Sequence, residues 1–198
     1  MRIVHATAQA DLERLYRFRY SIYVKQLGWL PANAEQLLHD RYDLHAFNYA
    51  AIEEDEVVGS IRVVPDNPHG LPFERCSPLN GYREGKRLVE LCRLAVDDQY
   101  RGHFLAGLLM KAGCQRALME QATHVALDAY VGEGSNSHLY EKMGYEPISE
   151  PFYDPEWLCE LPERVFAVDL EQAVRDWPST RPGLHRFFTS PDDHIDHG

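Results

Sequence analysis

An extended apolar stretch, residues 87–96, leads through a short polar loop into a long amphipathic helix predicted over residues 101–121. The helix is predicted because five apolar side chains repeat at helical spacing along one face. They are Phe104, Leu105, Leu108, Leu109 and Ala112. A strand that runs into such a helix needs a sheet to lie in, and the helix needs that sheet to cover its apolar face. This pairing predicts a domain that contains both a sheet and helices.

The remaining hydrophobic patterns supply the other elements of this domain. The pattern predicts helices over residues 9–24 and 135–143, a hairpin over 47–53 and 57–64, and strands over 123–130, 145–153 and 164–170. Residues 1–176 are therefore expected to form one α/β domain of the α+β type, with a mixed, mostly antiparallel sheet flanked by helices. Residues 177–198 contain prolines, glycines and many charges, which predicts a loosely ordered C-terminal tail.

Composition narrows the classes of partner. The formal net charge of −11 argues against nucleic acid or an anionic membrane as the main partner. No apolar run approaches the roughly 18 to 20 residues of a membrane span. The four cysteines are scattered and include no C-x-x-C pair, which indicates a reduced, cytoplasmic protein. The ten histidines show no metal-ligand spacing, so no metal is expected.

Two charged residues interrupt the apolar strand at 87–96. Alternation places Glu90 and Cys92 on one face of the strand and Arg93 on the other. Burying a carboxylate or a guanidinium is costly unless it is paired. A structural ion pair explains these residues. A strand that borders a cleft explains them equally well, with Glu90 as a general base or as the anchor of an amine.

The loop before the long helix offers backbone N–H groups at a helix N-terminus, an arrangement that binds phosphate. It resembles motif A of the GNAT superfamily of acyltransferases, whose pattern Arg/Gln-x-x-Gly-x-Gly/Ala holds the phosphate of an acyl carrier. Arg101 and Ala106 match the ends, whereas Phe104 replaces the central glycine and favours a carrier with a single phosphate there. The cofactor-binding residues implied by this resemblance are Arg101, Gly102, His103, Phe104, Leu105 and Ala106.

The short helix predicted over 135–143 resembles GNAT motif B. In that motif a tyrosine often protonates the leaving thiolate, and Tyr140 occupies its place. The alternative is that Tyr140 packs the helix together with Leu139 and Met143. The sequence leaves both interpretations open.

The N-terminal half carries an ordered set of further matches. The set runs Arg19-x-x-Ile22-Tyr23-Val24, Gly28-Trp29, Asp40-x-x-Asp43, Arg62-x-x-Pro65 and Glu90-x-x-Arg93. It resembles the acyl-homoserine-lactone synthases and their relatives, including long-chain N-acyl amino acid synthases and exosortase-associated acyltransferases. The resemblance covers about residues 14–150, with Tyr23 for the usual Phe and Cys92 for the usual Ser. The plain motif B places the chain nearer to the N-acyl amino acid synthases than to the lactone formers.

The resemblance implies an N-acyltransferase that moves an acyl group from an acyl carrier protein or coenzyme A thioester to the amine of an amino acid or related metabolite. It implies Glu90 and Tyr140 as catalytic residues, and backbone N–H groups of Leu94, Ala95 and Val96 as the groups that polarise the thioester carbonyl. It places the amine substrate against Arg19, Trp29, Asp40, Asp43, Arg62 and Arg93. An acidic carrier protein also needs a basic docking patch. The candidates are Arg83, Lys86, Arg87, Arg101, Lys111 and Arg116.

Two other functions fit the same sequence. One is a short-chain N-acetyltransferase that uses acetyl-coenzyme A. A preference for short acyl donors would favour this function. The other is a non-catalytic ligand- or partner-binding domain on a GNAT-like scaffold, a possibility that Phe104 raises. Tight thioester binding without turnover is typical of that second alternative.

Overall fold

A computed structural model describes residues 1–102, 104–135 and 137–198 of the chain. Its helices are α1 (Gln9–Tyr20), α2 (Leu105–Met119), α3 (Ser137–Lys142), α4 (Leu170–Thr180) and α5 (Pro182–Thr189). Its strands are β1 (Arg2–His5), β2 (Phe47–Glu53), β3 (Glu56–Pro65), β4 (Leu88–Val96), β5 (His124–Tyr130), β6 (Glu146–Pro147), β7 (Glu163–Asp169) and β8 (Ile195–Asp196). A π-helical segment, Ser21–Gln26, continues α1.

The strands form one eight-stranded sheet in the order β6-β7-β5-β4-β3-β2-β1-β8. Neighbouring strands run antiparallel except at β4–β5 and β1–β8, where they run parallel. The hairpin of β2 and β3 turns through Glu54 and Asp55, as the acidic turn in the sequence predicts. The predicted mixed, mostly antiparallel sheet is confirmed.

Helices cover the sheet on both faces. Helix α2 packs its apolar side, including Leu105, Leu109 and Ala112, into the main core with β3 and β4. Helix α1 buries Leu15 and Phe18 on the strands near β3. Within residues 1–102, 104–135 and 137–198, no helix is long and apolar enough to cross a membrane.

The centre of the sheet opens between β4 and β5. The two strands pair only from Leu88 to Glu90, opposite His124 to Ala126, although both continue well beyond that point. Past Glu90 the facing edges of β4 and β5 therefore no longer bond to each other. Because unpaired backbone groups need partners, a ligand can bind between the two edges.

A bulge in β4 adjoins this opening. Ser60 pairs with Ala95 and Arg62 with Cys92, so that Arg93 and Leu94 together oppose Ile61. Arg93 has a φ of 53°, in the left-handed region. The Ser60 hydroxyl donates a hydrogen bond of 2.8 Å to the Arg93 carbonyl, which holds the bulge in place.

Two expectations about the C-terminal third are wrong. The strand predicted over 145–153 is reduced to Glu146–Pro147. The segment 177–198, predicted to be loosely ordered, carries the end of α4, all of α5 and β8. Its order has a physical basis, because Phe188 is buried in the main core and Asp192 accepts a 2.9 Å hydrogen bond from Lys111. Pro182 stands in the first turn of α5, where proline starts a helix rather than breaking it.

Gly144 follows α3 and allows α4 to pack closely. Its φ is 92°, and a Cβ added there would lie 2.5 Å from Cζ2 of Trp177. We expect Gly144→Ala to lower the free energy of unfolding by about 2 to 3 kcal/mol, measured by urea denaturation, because overpacking adds to backbone strain. Gly134→Ala is the matched control, since Gly134 has a φ of 79° and nothing within 4 Å of the added Cβ. Equal losses in both variants would contradict the role given to Trp177.

Candidate active site

A cleft of about 520 Å³ lies where β4 and β5 diverge. It is lined by residues from the segment that follows α1, from β3, β4 and β5, from α3, and from β7 and the loop before it. The predicted site residues in its wall are Tyr140, Trp29, Arg62, Glu90, Arg93 and Leu94. Lining residues that were not predicted include Tyr23, Pro72, Arg75, Cys92, Asp128, Tyr130, Trp157 and Glu163.

A network of arginines and aspartates lies behind the cleft wall, and of its members Arg62 lines the cleft. Arg19 is fully buried, and its Nη1 and Nη2 donate hydrogen bonds of 3.1 Å to Asp43 Oδ1 and 2.7 Å to Asn48 Oδ1. Arg62 Nη1 donates to Asp40 Oδ1 and Asp43 Oδ2, each at 2.8 Å. Burial opposes ionisation of Asp40, but the charge and hydrogen bond of Arg62 outweigh it and lower the pKa of Asp40 to about 2. Asp40 is therefore an ionised partner of the buried Arg62 guanidinium.

The same two aspartates fold the loop that carries them. Asp40 Oδ1 accepts a hydrogen bond from the Tyr42 N–H, and Asp43 Oδ2 accepts one from the Asp40 N–H, each at 2.9 Å. These reciprocal bonds start the 3₁₀ turn at Arg41–His45. The segment between α1 and β2 is thus fixed against β3, and the network joins Arg19, Asp40, Asp43 and Arg62 into one unit.

Arg93 lies on the opposite side from the one predicted. Regular alternation places it away from Glu90 and Cys92, but the bulge in β4 shifts the register, and Arg93 lines the same cleft as both. Its Nη2 lies 3.5 Å from Asp40 Oδ2. Its guanidinium lies 5.7 Å from the ring centroid of Trp157 and 5.8 Å from that of Tyr23, within cation–π range.

Three aromatic rings close the outer part of the cleft. Trp29 and Trp157 meet edge to face with centroids 5.7 Å apart, and Tyr23 lies 5.8 Å from Trp157. The Tyr23 hydroxyl donates a 2.8 Å hydrogen bond to the Leu94 carbonyl in the bulge. The Trp157 Nε1–H is buried, and no group in the described part of the chain accepts from it. Trp157 stands in an irregular acidic loop, and no sequence pattern indicated it.

Glu90 stands at the point where β4 and β5 separate. Its side chain is 1% exposed, and Oε2 accepts a 3.1 Å hydrogen bond from the Phe73 N–H. Burial raises the pKa of Glu90 well above its usual value, and repulsion from Asp128 adds to the effect. A carboxylate in this setting binds a proton more tightly than a surface glutamate does, as a base for an ammonium group requires.

Two more carboxyl groups share this face of the sheet. Glu90 pairs with Ala126, and Asp128 stands two residues further along β5. Tyr130 pairs with Glu163 on β7, which places Glu163 diagonally from Asp128 on the same face. Burial raises the pKa of Asp128, and burial followed by repulsion from Asp128 and Asp154 raises the pKa of Glu163 to about 8. Asp128 could have been predicted as a site residue, because it is the one acidic residue in the apolar strand at 123–130. No sequence pattern indicated Glu163.

Tyr140 borders the cleft from α3. Its ring also packs near Tyr145 and Phe166, at centroid distances of 6.2 and 6.4 Å. Burial raises the pKa of Tyr140, and Asp128 raises it further. The phenol is therefore protonated at neutral pH and able to donate. The geometry is compatible with both interpretations of Tyr140, the packing role and the catalytic one.

The predicted cofactor loop lies outside the cleft wall. Arg101 is exposed and pairs with Asp98 at 2.7 Å, while Leu105 is buried in the core. Phe104 has a φ of 62°, which explains why glycine suits this position, and its exposed ring lies 5.3 Å from Phe187. Gly102 also has a positive φ, of 80°. His103 is outside the described residues. Of the strand residues expected to polarise the carbonyl, Leu94 lines the cleft, whereas Ala95 and Val96 pair with β3.

The basic docking patch requires correction. Lys111 and Arg116 are buried, and Arg116 donates a 2.9 Å hydrogen bond to the Tyr49 hydroxyl. Arg83 pairs with Asp66 and with Glu74. These three charges hold the chain's own segments together, so they do not form an exposed basic surface.

The divided sheet, with α2 on one face and a polar cleft at the division, has the architecture of the GNAT fold. Similar solved structures share this fold. FeeM, an N-acyl amino acid synthase from uncultured soil microbes, is 19% identical with a TM-score of 0.71, over 93% of this chain and 96% of that one. BjaI, a coenzyme A-dependent acyl-homoserine lactone synthase solved with MTA, is 20% identical with a TM-score of 0.72, over 100% and 93%. A putative N-acetyltransferase from Lactobacillus plantarum is 19% identical with a TM-score of 0.62, over 85% and 97%.

A comparison with protein-family models gives a narrower assignment than the fold does. A family model described as N-acyl amino acid synthase FeeM matches residues 14–160, so the chain belongs to this family and is an N-acyltransferase. The match includes the arginine–aspartate network, Glu90 and Tyr140. A search of curated protein sequences found no match.

Proposed function

We propose that the protein transfers an acyl group from a pantetheine thioester to the amine of an amino acid or related metabolite bound in the cleft of about 520 Å³. The observation that carries this proposal is the position of Glu90. A buried carboxylate stands at the mouth of the divided sheet, with Tyr140 in the same cleft. Glu90 thus faces the space where an amine and a thioester entering between β4 and β5 would meet.

The proposed reaction proceeds by direct transfer. Glu90 accepts a proton from the substrate ammonium, and the free amine attacks the thioester carbonyl carbon. The C–N bond forms, and the negative charge on the carbonyl oxygen is met by backbone N–H groups at Leu94 to Val96, of which Leu94 lies in the bulge and lines the cleft. The C–S bond then breaks, and Tyr140 supplies a proton to the departing thiolate. The new amide nitrogen releases its second proton, which restores the Tyr140 phenol.

The pairing of three of the six candidate docking residues within the chain favours coenzyme A over an acyl carrier protein as the donor. An acidic carrier protein needs exposed basic residues, and Lys111, Arg116 and Arg83 are already paired within the chain. The N–H groups at the start of α2 remain the proposed phosphate site, with Arg101 beside them. Arg19, Asp40, Asp43 and Arg62 shape the amine side, and Trp29 and Arg93 contact the bound amine.

The direct test uses the purified protein with acetyl-, butyryl-, octanoyl- and myristoyl-coenzyme A, the same chains on acyl carrier protein, and a panel of amino acids. Thiol release that requires an amine, together with the matching amide in the mass spectrum, is expected from coenzyme A donors. Acetyl transfer alone would indicate the short-chain N-acetyltransferase. Tight thioester binding without amide formation would contradict the proposal and support a binding domain.

Tyr140→Phe tests the proposed proton donor. We expect kcat to fall about a hundredfold, because the thiolate must leave unprotonated, while KM for the donor changes little. Tyr153→Phe is the control, since Tyr153 is 64% exposed. Unchanged kcat in Tyr140→Phe would leave Tyr140 only its packing role against Tyr145 and Phe166.

A further inference from the structure

The positively charged arginines that line the cleft contact carboxylates that lie outside the cleft wall. Arg62 bonds to Asp40 and Asp43 at 2.8 Å, and Arg93 contacts Asp40 at 3.5 Å. Neither aspartate lines the cleft. The buried Arg19 also bonds to Asp43, so three guanidiniums share two carboxylates, and the positive charge on this wall is partly balanced before a substrate enters.

Arg75, the third lining arginine, is balanced in the same way. It pairs with the buried Asp154 and lies 3.3 Å from Glu156, and neither acid lines the cleft. Like Arg62 and Arg93, it turns its charge toward acids outside the cleft. Among the described residues, these three arginines are the positively charged side chains that line the cleft.

The lining carboxyl groups have no such partners. Among the described residues, no lysine, arginine or histidine lies within ion-pair distance of Glu90, Asp128 or Glu163. The side chain of Glu90 is 1% exposed, and only its Oε2 has a hydrogen-bond partner in the described chain. Glu163 Oε2 is buried without any partner there. The cleft thus holds acidic groups without a cationic partner, and a bound cation would satisfy them.

The three acidic side chains extend over a longer distance than one ammonium group can contact. Glu90, Asp128 and Glu163 lie on the three successive strands β4, β5 and β7 and share one face. Neighbouring strands lie about 4.8 Å apart. Asp128 stands two residues beyond the position opposite Glu90, and Glu163 stands two residues further on, so a cation between them is separated from Glu90 along the strands as well as across them. One ammonium group therefore does not reach both places.

We propose that the acceptor amine carries a second cationic group, as in basic amino acids and linear diamines, with one ammonium at Glu90 and the other cation between Asp128 and Glu163. This inference rests on the proposed function, because Glu90 marks where the acylated amine lies. The Trp157 ring and its unpaired Nε1–H border the same space and leave room for a substrate carboxylate near Arg93. A substrate with one positive charge would leave Asp128 and Glu163, both partly buried, without a cationic partner.

The test compares substrates that differ only in the second charge. The purified protein is given octanoyl-coenzyme A with L-ornithine or L-norvaline, and with 1,4-diaminobutane or 1-aminobutane. We expect kcat/KM to be at least tenfold higher for the dicationic member of each pair, and Glu163→Gln or Asp128→Asn to remove most of that ratio. Glu160→Gln is the control, since Glu160 is exposed and outside the cleft wall.

Calorimetric titration of the same amines into the protein separates this inference from the proposed function. Tighter binding of L-ornithine than of L-norvaline by tenfold or more supports the second cation site even if no amine is acylated. Equal binding and equal kcat/KM within each pair overturn the inference, while amide formation from L-norvaline would leave the proposed function standing. If Glu163→Gln fails to fold, the comparison of substrates on the unaltered protein still decides.

Discussion

Replacing Glu90 with glutamine is expected to lower kcat/KM by about three orders of magnitude, because the substrate ammonium loses its proton acceptor. Glutamine keeps the size of the side chain, and its amide oxygen can still accept the hydrogen bond from the Phe73 N–H. The fall is therefore expected in kcat, measured by thiol release at saturating amine. A loss of less than tenfold would contradict the role of Glu90 as the base.

The pH dependence of stability gives Glu90→Gln a second readout. The pKa of Glu90 is raised by burial in the folded chain, so the unfolded chain releases this proton first as the pH rises above about 4.5. The unaltered protein therefore loses stability through Glu90 between that pH and its higher folded pKa, and the glutamine variant does not. In urea unfolding, Glu90→Gln should gain stability relative to the unaltered protein on going from pH 4 to pH 8. Glu56→Gln, at an exposed position, should show no such change.

Asp43→Asn is expected to destabilise the fold by about 3 to 5 kcal/mol, because it removes one partner of a buried ion-pair network. Asp43 is 5% exposed and contacts both Arg19 and Arg62, whose side chains are 0% and 1% exposed. The asparagine is isosteric but carries no charge, and both guanidiniums lose a carboxylate. Urea denaturation at neutral pH measures the loss.

Asp55→Asn is the control for this variant, because Asp55 is exposed in the turn between β2 and β3. It should change the free energy of unfolding by less than about 0.5 kcal/mol. A loss of under 1 kcal/mol in Asp43→Asn would show that the network adds little to stability. The same result would remove the argument that it fixes the loop at Arg41–His45.

The sequence predicted most of the fold because the elements that build it have strong local periodicity. The strand at 87–96, the helix that follows it and the acidic hairpin turn all appear close to their predicted positions. The orientation of Arg93 was not predictable from alternation, since the bulge depends on how β4 pairs with β3. The order of residues 177–198 was missed because Phe188 and Asp192 gain their partners only from distant elements.

The residues of the candidate site also fall into those that the sequence predicted and those that it did not. Arg19, Asp40, Asp43, Arg62 and Glu90 were found as an ordered set of short matches, and the structure joins the first four in one network beside Glu90. Trp157 and Glu163 stand in segments with no periodic pattern. Glu163 reaches the cleft through the pairing of β7 with β5, and Trp157 reaches it through packing against Trp29 and Tyr23. Such residues follow from long-range register, which a single sequence does not encode locally.

The most direct test of the central claim is mass spectrometry of lipid extracts from cells that express this protein, beside cells that express Glu90→Gln. We expect new N-acyl amines or N-acyl amino acids in the first extract and their absence in the second, and their masses would identify both the acyl chain and the amine. If the two extracts were identical, with both proteins folded and present at equal amounts, the claim that this cleft carries out acyl transfer through Glu90 would be contradicted.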